Sequence, residues 1–153
     1  VTTKREILNI YHHLLMLDDK NDKEKRWINQ RQPMAKGLAT VHFHILSYLL
    51  ANPETVAKQI CDDLSLLRGT LSKQLTLLQN RGLVTYTVDA RDARYKRYTL
   101  TANGKSIART HNELLVLKNN TIERKMSDFS EADLHVIYLF LSRLADIEEQ
   151  EKF

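Results

Sequence analysis

The sequence predicts a mainly α-helical chain with one small β-hairpin set between flanking helices. Three observations carry this expectation. Pro and Gly are scarce, at two and four in 153 residues, which favours long uninterrupted helices over a loop-rich or all-β chain. Apolar residues recur at spacings of three and four along most of the length, and 42% hydrophobic content is enough to bury a core. After Gly82 the period drops to two: Val84, Tyr86 and Val88 alternate with Thr85 and Thr87, β-branched and aromatic residues that suit a strand.

Each element follows from its own residues. From Thr3 to about Arg26, Ile7, Ile10, Tyr11, Leu14, Leu15 and Leu17 make one greasy helical face, and the charged stretch Asp18–Arg26 is expected to be solvated. Gln30 to Gly37, with Pro33 inside it, reads as a linker. Leu38 to Ala51 is a helix that turns Val41, Ile45, Leu46, Leu49 and Leu50 inward. It stops at Asn52-Pro53, because the residue before proline avoids helical dihedrals.

Thr55 is positioned to cap a short helix over Val56–Leu64, whose buried side is Ile60, Cys61 and Leu64. Arg68 to Arg81 is another, with Leu71, Leu75 and Leu78 in line and Gly82 ready for a left-handed cap. Val84–Val88 and Arg94–Leu100 are the two strands, joined by the charged loop Asp89–Ala93. A long helix over Ala102–Met126 carries Ile107, His111, Leu114, Leu115 and Ile122. Ser130-Glu-Ala-Asp133 resembles a capping box, and opens a last helix with Leu134, Ile137, Tyr138, Leu141, Leu144 and Ile147 on one face.

No run of about 18 apolar residues is present to span a bilayer, and the first residues lack the basic, apolar and small-residue blocks of a signal peptide. The single cysteine cannot form an internal disulfide, and no CxxC pair suggests zinc. A cytoplasmic protein with no cofactor and no membrane partner is therefore expected. The net charge of +4 says little, but its distribution says more: residues 68–105 carry +6, leaving the rest at −2. A localised positive stretch is what a phosphate-facing surface requires.

Two short helices joined by a tight turn and followed by a hairpin make a winged helix-turn-helix. The second helix must bury one stripe to hold its angle and offer polar or basic side chains on the other face to base edges and phosphates. Arg68, Thr70, Ser72, Lys73, Gln74 and Thr76 lie on or near that face. Arg and Gln suit bidentate base contacts, and Lys, Thr and Ser suit phosphates.

The run Leu64-Ser-Leu-Leu-Arg-Gly-Thr-Leu-Ser-Lys-Gln-Leu75, then Leu78-Gln-Asn-Arg-Gly-Leu-Val84, Asp89-Ala-Arg-Asp-Ala-Arg94 and Tyr98-Thr-Leu-Thr-Ala-Asn-Gly-Lys105 resembles the multiple antibiotic resistance regulator (MarR) family, in the same order and over nearly the whole chain. The resemblance implies that Thr70, Ser72 and Lys73 face DNA and that Arg91, at the wing tip, reaches the minor groove. It implies that Asp89, Asp92 and Arg94 brace the wing by ion pairs and loop hydrogen bonds. Ser65 stands where the turn often has Gly, and Leu67 where the helix often has a Ser or Thr cap.

One recognition helix reads too few base pairs for high specificity, so a homodimer on a pseudo-palindrome of double-stranded DNA is expected. Residues 1–37 and 102–153 are then dimerisation segments around a DNA-binding domain at 38–101, and the resemblance implies that the terminal helices interlock between subunits. It implies too that a small-molecule effector, a metal or an oxidant tunes DNA affinity. Cys61 occupies a small core position rather than that of a redox switch.

Trp27 either lines an effector pocket or packs the end of the first helix. His44 and His111 stand near positions that bind zinc in one branch of the family. That branch's His-rich run is missing here, so no metal ligand is assigned and the two join Trp27 as pocket candidates. No Gly-rich phosphate loop, nucleophile elbow or HExxH spacing points to an enzyme. The competing readings are a zinc-responsive regulator of this fold, and a winged module that binds protein, which the basic face disfavours.

Overall fold

The computed structural model describes residues 1–20 and 22–150, and the side chains of these except 18–20. The chain divides after Leu114 into two compact units.

In the first unit, helix α1 (Lys4–Lys20) and helix α2 (Lys23–Arg31) replace the single helix expected to Arg26. The run Asp18-Asp-Lys-Asn-Asp22 is made mostly of short polar residues that compete with helical hydrogen bonds, so two helices are formed where apolar spacing alone suggests one. Of the charged stretch expected to be solvated, 18–21 lie outside the described side chains; Asp22–Arg26 are exposed or half-buried. The expected linker is also more ordered than its Pro and Gly suggest. Helix α2 continues to Arg31, and Pro33–Ala35 form one 3-10 turn that buries Ala35 beside Ile28 in the same core.

Helix α3 (Thr40–Ala51) runs through that core on Phe43, Ile45, Leu46 and Leu49, and ends at Asn52 as the proline dictates. Thr55 is not the cap of the next helix. Its hydroxyl donates to the Asn52 carbonyl at 2.7 Å, and Thr55–Val56 form strand β1. Helix α4 (Ala57–Leu64) then starts with no side-chain cap and buries Ile60 and Cys61.

The turn into helix α5 (Arg68–Asn80) is made by Ser65 at φ 54°, ψ 44°. An L-residue in that left-handed region costs about 1–2 kcal/mol. Glycine avoids this cost but gives back about 0.5–1 kcal/mol as extra freedom in the unfolded chain. Ser65→Gly is therefore expected to stabilise by about 0.5–1 kcal/mol, a rise of roughly 1–4 °C in Tm. An unchanged or lower melting point would contradict this account of the turn.

Helix α5 buries Leu71, Leu75 and Leu78, and Gly82 at φ 70° ends it while Leu83 N–H returns to the Leu78 carbonyl at 3.0 Å. Strands β2 (Val84–Val88) and β3 (Lys96–Leu100) pair antiparallel, with Val84 opposite Leu100 and Val88 opposite Lys96; β1 adds to the other edge of β3. The return strand starts two residues later than its sequence suggests, because Tyr95 N–H and C=O close the wing loop on Asp92 and Asp89.

Helix α6 (Ala102–Met126) begins in the first unit, where Ile107, Ala108 and His111 are buried. In the second unit, Ser130 N–H donates to the Asp133 carboxylate and Asp133 N–H to the Ser130 hydroxyl, both at 3.1 Å, the reciprocal cap expected for helix α7 (Glu131–Gln150). No residue of α7 is buried, and Val136, Tyr138 and Leu141 are more than half exposed. Within the first unit, α1 exposes Ile7, Leu8, Ile10, Leu14, Leu15, Met16 and Leu17. Among the described residues no helix is long and apolar enough to cross a membrane.

Candidate nucleic-acid interface

Arg68, Thr70, Ser72, Lys73 and Thr76 all lie exposed on α5, opposite the leucine stripe that fixes the helix to the core. The Thr76 hydroxyl bonds back to the Ser72 carbonyl at 2.9 Å. Among the described residues the Arg68 guanidinium and the Lys73 ammonium have no carboxylate partner, so both charges are available to an anion. Gln74 differs: it is half-buried, and its Oε1 lies 2.5 Å from Nε2 of His42 on α3.

A cleft of about 340 Å³ opens between α4, α5 and the wing. Arg68 and Ser72 from the helix, Lys58 from α4, and Arg94 and Lys96 from the wing line it, with Cys61 and Leu75 at its apolar side. Helices and wing thus bring four cationic side chains to one cleft. Cys61 is otherwise part of the core, as its spacing indicates.

The wing owes its shape to two carboxylates. Asp92 takes a bidentate pair from Arg94, at 2.7 Å to Nη2, and the Arg94 backbone N–H at 3.0 Å. Asp89 accepts the Arg91 backbone N–H at 2.8 Å and pairs with Arg97 at 2.8 Å. The Arg91 backbone bond, with Arg97 second, holds the Asp89 carboxyl below the usual carboxylate range; Arg94 does the same for Asp92. The Arg91 side chain is exposed in this loop and forms no ion pair among the described residues.

Sequence reasoning missed Arg97 as a brace. Its signal was present, since in a hairpin Asp89 and Arg97 flank the paired positions Val88 and Lys96. Arg81 was missed too: its Nη2 donates to the Met34 and Lys36 carbonyls at 2.8 and 2.6 Å, pinning the end of α5 to the segment before α3. No local pattern announces a contact between residues 45 and 47 positions apart.

The three pocket candidates have different surroundings. Trp27 packs against the core with the Arg31 guanidinium 3.7 Å above its ring. His44 is exposed on α3. His111 is buried, stacked on Phe43 at 5.4 Å, with Nδ1 2.8 Å from the Ser47 hydroxyl. Among the described residues no group of three His, Cys, Asp or Glu is arranged to hold a metal ion.

Burial first, and then the nearby His44, push the His111 pKa down, while Glu24 pulls the other way. The folded protein therefore keeps His111 neutral where the unfolded chain, at about 6.5, already takes up a proton. Its contribution to stability is complete above that value and declines as pH falls through the lower folded pKa. Melting curves from about pH 8 to pH 5 should show the wild type losing more stability than His111→Gln. Parallel losses would remove this assignment.

The model of the MarR family matches residues 36–94, from the segment before α3 to the wing. Comparison with curated proteins gives no match. Among solved structures, the adhesin competence repressor (AdcR) from Streptococcus pyogenes is 21% identical, with a TM-score of 0.74, over 97% of this chain and 99% of that one. FabT of Streptococcus pneumoniae, determined in complex with DNA, is 20% identical with a TM-score of 0.68, over 97% and 96%. ZitR of Lactococcus lactis, described as a zinc-responsive MarR family member, is 25% identical with a TM-score of 0.64, over 71% and 75%. These likenesses show the fold, a winged helix-turn-helix with flanking helices, and the segment that resembles the MarR family model is the one that carries the recognition motif itself.

Proposed function

We propose that this chain is a transcription regulator that binds double-stranded DNA as a homodimer, represses from pseudo-palindromic operators in the cytoplasm, and has its DNA affinity tuned by a small-molecule effector. The observation that carries the reading is the exposed, unpaired cationic face of α5 beside a wing that two carboxylates brace so that Arg91 stands free. In this reading Arg68, Thr70, Ser72, Lys73, Gln74 and Thr76 enter the major groove, Arg91 and Arg94 meet the flanking backbone and minor groove, and Asp89 and Asp92 hold the wing.

The uncovered apolar faces support the dimer. Residues 1–37 and 102–153 supply α1 with seven exposed large apolar side chains and α7 with no buried residue. Covering each half-exposed side chain returns about 1 kcal/mol, and a second copy of the chain offers a surface of the same kind. The FabT complex with DNA and the repressor description of the S. pyogenes protein agree with the reading.

Trp27, His44 and His111 are the proposed lining of the effector site. A zinc-responsive variant of the reading would use His44 and His111, and no third His, Cys, Asp or Glu of the described residues is arranged with them to hold a metal ion. Selection of bound duplexes from random DNA, repeated with zinc and with chelator, tests these points together. An inverted repeat with half-sites about one helical turn apart is expected. A single half-site, or a protein that sediments as a monomer at micromolar concentration, would overturn the dimer.

A further inference from the structure

Gln74, a half-buried polar side chain of α5, meets the buried His42 of α3. His42 is 5% exposed, and its two ring nitrogens have different partners. Nδ1 lies 2.8 Å from the Ala39 backbone nitrogen, whose hydrogen it must accept, so Nδ1 carries no proton. The ring proton is therefore on Nε2, which donates to Gln74 at 2.5 Å. A donating nitrogen can face only the oxygen of the Gln74 amide, so the backbone of Ala39 fixes both the imidazole tautomer and the direction of the amide. The amide NH₂ is the part of Gln74 left for a ligand.

We infer that His42 is a positioning residue that makes Gln74 a donor-only reader of DNA, giving a preference for a keto base, guanine or thymine, at the position it touches. A free glutamine pairs bidentately with adenine, accepting from N6 while donating to N7. With Oε1 turned toward α3 and engaged by His42, that mode is weakened, because the oxygen is no longer free to aim at N6. An NH₂ group alone meets two acceptors on guanine, O6 and N7, or O4 on thymine; adenine offers it only N7 beside an opposing amino group, and cytosine only the amino group. The inference rests on reading α5 as the recognition helix.

The experiment is selection from random duplex DNA by the wild-type protein, Gln74→Ala, Gln74→Glu and His42→Leu. At one position in each half-site the wild type is expected to prefer a keto base about tenfold, the size of one base contact. Gln74→Ala should lose that preference while keeping the rest of the site. Gln74→Glu can still accept from His42 but has no hydrogen to donate, so the preference should turn to an amino base. His42→Leu frees the amide to rotate and should admit adenine; if this variant fails to fold, the two Gln74 variants decide.

The inference is overturned if the selected bases are the same in all variants, or if affinity falls uniformly as for a phosphate contact. An amino base at the Gln74-dependent position of the wild type would overturn it as well. Each of these leaves the DNA-binding reading standing. A wild-type protein that enriches no sequence would instead overturn that reading itself.

Discussion

Replacing Gly104 by alanine should destabilise the protein by about 3 kcal/mol, at the upper end of what overpacking costs. A Cβ at Gly104 would lie 2.0 Å from the Leu83 carbonyl oxygen and 3.0 Å from its carbon. The obstacle is backbone, so no rotamer change relieves it. Leu83 C=O also accepts the Thr101 N–H at 3.1 Å, while the Thr101 hydroxyl donates to the Gly82 carbonyl and accepts the Gly104 N–H. The clash therefore falls on the bonds that join the start of α6 to the entry of the wing.

A Tm lower by roughly 6–12 °C is expected. Gly69→Ala is the control: nothing lies within 4 Å of its Cβ, and alanine in a helix should stabilise by up to about 1 kcal/mol. A Gly104→Ala protein that melts with the wild type would show that α6 does not approach β2 so closely.

The parts of this architecture legible in the sequence are those fixed by nearby residues. The stripe Leu71, Leu75 and Leu78 with Gly82 behind it announces α5 and its end, the alternation from Val84 to Val88 announces β2, and Ser130 with Asp133 announces the start of α7. Strand β1 is two residues long, too short to have a period, so in the sequence Thr55 resembles a helix cap. The break between α1 and α2 depends on polar residues that apolar spacing ignores.

The candidate site divides in the same way. The exposed face of α5 follows from helical geometry once its buried stripe is known. That Gln74 is turned to His42, and that Arg81 holds the carbonyls of Met34 and Lys36, depends on the packing of α3 against α5, which no window of sequence contains. The apolar faces of α1 and α7 are plain in the sequence, yet neither gains cover within its own unit.

Affinity for duplex DNA should fall about 10³–10⁵-fold between about 50 and 200 mM salt, the response of a protein that displaces six to ten counterions. The arginines of the wing will not share equally in that slope. Arg94 and Arg97 are already paired with Asp92 and Asp89, so each pair brings little net charge to a phosphate and serves mainly to hold the loop. Arg91 is the exposed cation that this bracing presents. Arg91→Ala should weaken binding by about tenfold or more and lower the salt slope by about 2, one contact in each of two wings, with the dimer intact. Arg97→Ala acts differently: it leaves Asp89 without its ion pair, adds an unpaired negative charge beside the DNA, and loosens the carboxylate that orients the Arg91 backbone. Its loss of affinity should therefore be at least as large, although Arg97 need not touch DNA. Equal slopes for wild type and Arg91→Ala would take the wing tip out of the interface and leave α5 as the source of the electrostatic term.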